Sequence, residues 1–532
     1  MQASLNFLSK TTITRQSSAE SIIKLLLKNR HITNSKNFLN PPYPEAFPSP
    51  NKASKLIKKF LDSQGNILIY GDYDVDGLTS TAILWQSLYP LSKNVFPFIP
   101  HREKDGYGFK SKSFFRIESE KNLKFDLLIT VDNGIVADSE FAKIKAKNPD
   151  IKIVVVDHHL PSKKLLHVDA ILHSVNTSAS VLAWILAREF TPDADLGLAA
   201  LGLVADCQPI VENNRSVVVH GLVDMQKKPS PGIKKLMDIS GAKNETLSVY
   251  DLGFLLGPRL NAAGRLSDPT DSLRLLCSQT SSQATKYASL LNTHNRKRQE
   301  LQKESLDIAD KNIDLKNKIV FVADDFNPGV IGLIAGRLTE KYSLPSVIIS
   351  TKDDVAKGSC RSIPEVNIIE VLRKYSPLFV DLGGHPGAAG FSILEKNIKK
   401  LQKKLNTYFS KKLTSYIPQK EINIDSKMEL SAVTLKNITT IDRLSPFGIG
   451  NPQPLFYFES LKINSLKLLG QNKDHLKLNL DGVDAIAFKK AELSKNLKIG
   501  DSINLVAQLS ANTWNGRTTP QLIVKEIIKN DK

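Results

Sequence analysis

Three apolar runs of strand length each end in acid: NILIYGDYDVDG, FDLLITVDNG and IKIVVVDHHLP. They are continuous rather than alternating, and the stretches between them are long enough for helices. Continuous apolar strands belong to sheets covered on both faces, the situation of a parallel sheet flanked by helices. Strands of such a sheet point the same way, so the residues that follow them meet at one edge, where these folds place their sites. The sequence therefore predicts an α/β domain with Asp72, Asp74 and Asp76 at that edge, joined by Asp132 and then by Asp157, His158 and His159. A fourth apolar segment, LGLVADCQPI, strand or helix, adds Asp206.

One strand-ending aspartate is ordinarily a turn or a helix cap. Three strands delivering acid to the same edge are a different matter, because crowded carboxylates repel and are stable together mainly around a cation. The acidic positions and distal glutamate of an EF-hand loop are absent. Oxygen ligands suit magnesium, and added imidazole moves preference toward manganese. With Cys207 the one thiol nearby, the pattern does not suit structural zinc. Carboxylates and histidine together can hold two cations ~3.5–4 Å apart, the spacing used for in-line attack on phosphate.

The 532 residues carry 72 lysines and arginines against 54 acids, a net charge of +18. That excess favours a polyanionic partner, nucleic acid first and an anionic membrane surface second, unless the lysines are merely solvated. With 41% hydrophobic and 24% charged residues, the composition is that of a globular protein of two to four domains. The three cysteines, Cys207, Cys277 and Cys360, are far apart, as expected in a reducing compartment. No secretory core opens the chain and no apolar run approaches the ~20 residues of a membrane span. A soluble, cytoplasmic protein is expected.

Residues 1–50 end in NPPYPEAFPSP and read as a leader or linker. Residues 51–270 hold the acidic α/β domain. Residues 271–315 include ASLLNTHNRKRQELQKESLDIADKNID, free of proline and glycine, and predict a long connecting helix. A second α/β region spans 316–415, with strands KIVFVAD and LPSVIIS, the helix VIGLIAGRLTEKY, the glycine cluster DLGGHPGAAGF and the basic helix IKKLQKKLNTYFSKKL. From 420 to 532 short strands separated by turns suggest a small antiparallel barrel.

In order, GDYDVDG, TVDNG, DHHLP and ADCQP resemble the motifs of the DHH phosphoesterases, and most closely their RecJ exonuclease family. The resemblance implies that Asp74, Asp76, Asp132, His158 and Asp206 hold two Mn2+ or Mg2+ ions, with Asp72 a further ligand or close neighbour. It makes His159 the residue that contacts the reacting phosphate and assists as an acid, with Asp132 the other catalytic position. PHREKDGYG suggests Arg102 as a contact to the terminal phosphate, and GPRLNAAGRL suggests Arg259, Asn261 and Arg265. NPGVIGLIAGRL, GSCRSIPE and GGHPGAAGF resemble the DHH-associated domain, which brings Arg361, Ser362 and His385 to substrate while Gly383, Gly384, Gly387 and Gly390 allow close backbone approach. LSPFGIGNPQPLF and HLKLNLDGVDAIAF resemble the family's OB-fold, whose available aromatics here are Phe447, Phe456, Tyr457, Phe458 and Trp514. One departure stands out: the segment after DHHLP is shorter than usual and lacks the family's asparagine–proline pair and glycine-rich helix start. The activity implied is 5′→3′ exonuclease action on single-stranded DNA, releasing 5′-mononucleotides in repair and recombination. The alternatives are a DHH phosphodiesterase for short oligoribonucleotides or cyclic dinucleotides, and a non-catalytic strand-binding scaffold. The resemblance also implies a monomer that works with a single-strand-binding protein and a helicase, away from membranes.

Overall fold

The structure, a computed structural model, describes residues 4–45, 48–102, 104–106, 108–161, 164–416 and 421–529. The chain forms two compact units, one of Ala46–Asp206 and Asp224–Gln419, the other of Gln2–Glu45, Cys207–Val223 and Lys420–Lys532. Among the described residues no helix is long and apolar enough to cross a membrane.

The first unit holds a five-stranded sheet in the order Val95–Phe98, Ile67–Tyr70, Leu127–Val131, Lys152–Asp157, Ala170–His173, every pair parallel. The register sets Tyr70 opposite Thr130 and Val131 opposite Val156, so Asp72, Asp132 and Asp157 leave the sheet at one edge. The strands Ile67–Tyr70 and Leu127–Val131 are buried at every residue, as continuous apolar runs require. On one face Leu68, Leu128, Ile153 and Val155 pack under Phe114, Ile117, Phe141 and Ile144 of the helices Ser111–Lys121 and Asp138–Lys147. The helix Ala179–Ala187, apolar all round, is buried at every residue.

The expected connecting helix is present as Ser281–Lys311. It starts later than 271 because Thr280 caps a new helix, its side chain accepting from the Gln283 amide, while Thr270–Leu276 forms a separate short one. The second sheet of this unit runs Phe379–His385, Ala388–Leu394, Val355–Arg361, Ser346–Ser350, Val320–Asp324. Alternate residues face opposite layers. Val320, Val322 and Ile348 pack with Ala309 and the helix Ile331–Tyr342, whereas Phe321, Val347 and Ile349 pack with the helices Ile368–Arg373 and Glu395–Lys412.

The second unit is built on a barrel in which Phe456–Leu469, His475–Leu480, Val483–Ala487, Arg517–Lys529 and Ser502–Trp514 pair in a closed ring. The ring is not wholly antiparallel, since Val483–Ala487 runs parallel to Arg517–Lys529. Five strands cannot alternate direction all the way around, so one pair has to be parallel. Phe456 and Phe458 point into this core and Tyr457 lies between them.

The leader reading of the N-terminal residues is corrected. Ser4–Phe7 pairs with Glu421–Ile424 and Thr12–Ile13 with Ser426–Met428, both in parallel. The helix Ala19–Asn29 buries Ile22, Ile23, Leu26 and Leu27, and these join Phe456 and Phe458 in one core. Their helical spacing precedes the proline-rich segment, which breaks regular structure without ending the fold. Arg215, buried in the same unit, donates to the carbonyls of Phe38, Ser445 and Pro446 and so ties the residues before the proline-rich segment to the rest of the unit.

Candidate metal centre

Asp74 caps the helix Val75–Leu88, its Oδ1 accepting from the Asp76 and Gly77 amides at 3.0 and 3.1 Å. Asp76 sits within the first turn and is buried. Its Oδ2 accepts from the Ala179 amide at 2.7 Å and its Oδ1 from the Ser180 amide at 3.0 Å. These are the leading amides of a helix, where an anion is favoured. The shortened segment after His159 therefore still forms the edge strand and supplies these donors. Gly77 is required by closeness: a Cβ there would lie 2.6 Å from the Asp72 backbone nitrogen and oxygen.

Asp132 adopts a left-handed φ of 61°, a conformation aspartate and asparagine tolerate better than most residues and one that collects at functional sites. Asn133 Nδ2 holds this turn by donating to the carbonyls of Gly71 and Val131, both at 3.0 Å. Asp157 is the post for the His158–His159 turn and for the His159 imidazole. Its Oδ1 accepts from the His158 and His159 amides and lies 2.8 Å from His159 Nδ1, while its Oδ2 accepts from the Ile135 amide.

These elements bring the expected ligands together. His158 Nε2 lies 3.2 Å from Asp132 Oδ1, 3.6 Å from Asp206 Oδ2 and 3.7 Å from Asp76 Oδ2. Three donor sets form, each with atoms within 4.8 Å of one another: Asp132, His158 and His159; Asp76, His158 and Asp206; Asp72, Asp74 and Asp132. Asp132 is shared by two sets, as is His158, so the geometry is that of adjoining cation positions. Asp72 Oδ1 and Asp132 Oδ1 are buried without a hydrogen bond, which a cation would remedy.

The electrostatics agree. Burial, then the charge of Asp74, pushes the Asp72 carboxyl up to about 8. Burial together with Asp74, Asp76 and Asp72 pushes Asp132 far above the usual carboxylate range. Burial raises Asp76 as well, against His158 and Ser180. Acids held from ionising by burial and by one another are what a divalent cation would relieve. His159 behaves oppositely: burial disfavours its charge, but the hydrogen bond and charge of Asp157, then Asp206 and Asp74, raise it to about 9.

Near the carboxylates lies a group of guanidiniums. Arg265, on the helix Gly257–Leu266, donates to the Gly329 carbonyl at 3.2 Å. Burial first, then Arg102, Arg298 and Arg361, lowers it to about 10. Arg30, Arg116, Arg274 and Arg337 pair with carboxylates, and none of them is of this group. Arg102 lies over the Tyr73 ring at 5.8 Å and favours the charged form of Asp72, although Glu103 and Tyr107 of its loop fall outside the described residues. Burial, then the charges of Arg361 and His159, lowers the pKa of His385.

Other expected contacts are committed elsewhere. Arg259 donates to Asn292 and to the Leu255 carbonyl. The Ser362 hydroxyl donates to the Val366 carbonyl at 2.7 Å. Gly384, at φ 151°, is required by the hairpin itself, since a Cβ would lie 2.5 Å from the Ala388 oxygen. Asn261 is half-buried on the Arg265 helix, with no contact tying it to the carboxylates among the described residues. Arg298 and the Ala179 and Ser180 amides are contributions the sequence did not disclose, and Asp157, evident at the strand end, has a holding role the sequence left unassigned. The one signal for Arg298 was its place in the basic run NRKRQ on the connecting helix.

Family models match three stretches: the DHH family N-terminal domain over residues 66–219, the DHHA1 domain over 316–411 and the RecJ OB domain over 424–526. The single-stranded-DNA-specific exonuclease RecJ of Bacillus subtilis is 33% identical over 500 residues, covering 89% of this chain and 63% of that protein. This chain thus spans less than two thirds of that relative's length. RecJ of Haemophilus influenzae is 31% identical, covering 95% of this chain and 96% of the relative. Among solved structures, RecJ from Thermus thermophilus in complex with Mn2+ superposes with a TM-score of 0.84 at 26% identity, covering 99% of this chain and 80% of that one.

Proposed function

The chain belongs to the RecJ family of DHH phosphoesterases, and we propose that it is a metal-dependent exonuclease that degrades single-stranded DNA from the 5′ end, releasing 5′-mononucleotides. One observation carries this reading: carboxylates and imidazoles from four separate stretches meet around adjoining cation positions. Their chemistry fits Mn2+ or Mg2+, the ions named for the Thermus thermophilus structures.

When bound, two such ions activate water and neutralise charge on the attacked phosphate. The chain's own residues do the rest. Asp74, Asp76, Asp132, His158 and Asp206 hold the ions, with Asp72 beside them. Asp157 occupies His159 Nδ1, which leaves Nε2 to bond a phosphate oxygen and to supply a proton as the 3′ oxygen departs. Among the described residues Arg102, Arg265, Arg298 and Arg361 form no ion pair with a carboxylate, and their planar forks suit phosphate oxygens. Arg265 and Arg361 come from different α/β regions of the first unit, so both regions grip one substrate.

The barrel of the second unit supports a long strand over a dinucleotide, because OB-folds bind single strands on aromatic faces and Trp514 is 74% exposed. Cooperation with a single-strand-binding protein and a helicase, action as a monomer, and work in the cytoplasm in repair and recombination rest on the family resemblance. The test is a digestion series with Mn2+: 5′-labelled single-stranded DNA, duplex DNA, short RNA and cyclic dinucleotide. Mononucleotide release from the single strand alone is expected. Preference for dimers or cyclic dinucleotides over long strands would overturn the reading.

A further inference from the structure

The helix Glu395–Lys412 carries seven lysines and one glutamate in 18 residues. With 72 basic residues in 532, a stretch of that length would hold about two or three. Its buried face is Ile398, Leu401, Leu405 and Phe409, so the fold needs none of the lysines. They are all exposed. Several are stacked one turn apart, as Lys396, Lys400 and Lys404 are, where like charges repel by ~0.2–0.5 kcal/mol a pair. The connecting helix Ser281–Lys311 instead mixes its basic residues with Glu300, Glu304, Asp307 and Asp310, as a merely solvated face does.

The lysines border a concavity of about 760 Å³, shared with Tyr375 and Tyr408 and lined by no carboxylate. Lys404 Nζ lies 5.4 Å above the Tyr375 ring and Lys374 Nζ 4.8 Å above the Tyr408 ring. With an ammonium over each ring, the surface offers charge rather than open faces for base stacking.

Its position is informative. The helix packs on the layer opposite Ile331–Tyr342. Just beyond its C-terminal end, the Tyr416 carbonyl accepts from Lys318 Nζ at 3.0 Å. Val320 pairs with Ser346, and Ser346 with Arg361. The lysine face therefore ends at the row of the sheet that holds the Arg361 backbone, while the Arg361 guanidinium lies on the other layer, beside Gly332.

We propose that this face binds the sugar–phosphate backbone of single-stranded DNA, as a second contact outside the carboxylate site. The proposal rests on the nuclease reading and extends it to strands longer than the site holds. Binding is by ammonium–phosphate contact, independent of sequence and steep in salt.

The test combines Lys400→Gln, Lys403→Gln, Lys404→Gln and Lys411→Gln in the full chain. Affinity for fluorescent dT40 is measured across a salt series in EDTA, where nothing is cut. The slope of log K against log salt should become shallower by about 0.7 per lost phosphate contact, up to about 2.8 in all. Hydrolysis of dT8 with Mn2+ should keep its kcat, and the four Lys→Arg changes should keep the parent slope. An unchanged dT40 slope overturns the proposal, and so does an equal loss in the Arg variant, which would show that shape and not charge was removed. A glutamate decapeptide is the control ligand: if the Gln variant loses that peptide but keeps dT40, the face serves an acidic protein and the proposal is wrong. Failure of the nuclease reading would show separately, as no dT8 hydrolysis by the parent chain with Mn2+.

Discussion

Asp76 and Asp132 have the same side chain in the same cluster, yet their surroundings set opposite expectations for one substitution. Asp76 accepts from two buried amides, so Asp76→Asn turns an NH2 group toward an N–H donor. Without metal this should cost about 1–3 kcal/mol in urea unfolding. Asp132 Oδ1 has no hydrogen bond, and burial and then four neighbouring aspartates, Asp74, Asp76, Asp72 and Asp157, oppose its ionisation. Asp132→Asn should therefore unfold in EDTA at the same urea concentration as the parent, or a higher one. Both variants should lose at least ~10²-fold in Mn2+-dependent hydrolysis. Equal destabilisation of the two would show that the cluster is not built around an absent cation. His159→Ala, which leaves every ligand of the second and third donor sets, should lower kcat by ~10²–10⁴. The ligand types were legible because each follows an apolar run. The amides that hold Asp76 were not, because they lie 103 and 104 residues further along the chain. Asp157 was visible at its strand end but not as the residue that holds both histidine amides and the His159 imidazole.

At the scale of elements, the helix Ser111–Lys121 shows how a neighbour completes what local sequence leaves undone. Lys110 at its start offers no side-chain cap. Glu140 of the next helix provides one, its Oε2 accepting from the Ser111 amide at 2.9 Å and the hydroxyl at 2.7 Å. Burial opposes the Glu140 charge, but the bonds from Lys143 and Ser111 win and hold its carboxyl at about 2 against an ordinary 4.5. A carboxyl lowered on folding stabilises above its unfolded pKa and loses that contribution as pH falls through the folded one. Glu140→Gln should thus cost about 2 kcal/mol at pH 6, allowing for partial exposure, and almost nothing near pH 2. Urea unfolding at both pH values checks this, and a cost independent of pH would contradict it. The same distinction governs what the sequence disclosed. The parallel sheet and the second α/β region announced themselves through continuous apolar runs, and the connecting helix through a long stretch free of proline and glycine. The strands Ser4–Phe7 and Thr12–Ile13 did not, being short and paired with partners more than 400 residues away.

At the scale of the molecule, the two units differ in what a metal can do for them. All three donor sets lie in the first unit, from Asp72 to Asp206. The core of the second, with Ile22, Phe456, Phe458 and Leu505, includes none of those residues. Ligand that binds only folded protein stabilises by an amount set by its concentration over its dissociation constant, ~4 kcal/mol at a thousandfold excess. Adding Mn2+ to protein stripped with EDTA should therefore displace the unfolding of the first unit and leave the second where it was. Tryptophan reports the two separately, because Trp184 is buried in the first unit and Trp514 is exposed on the barrel. Each can be kept while the other tryptophans are replaced by phenylalanine. The Trp184 transition should move upward with Mn2+ and return on chelation, with Asp132→Asn blunting the shift. The Trp514 transition should stay fixed. If both moved together, the stability of the barrel would be tied to the occupancy of a site to which it contributes no ligand, and the separation into two independently stable units would fail.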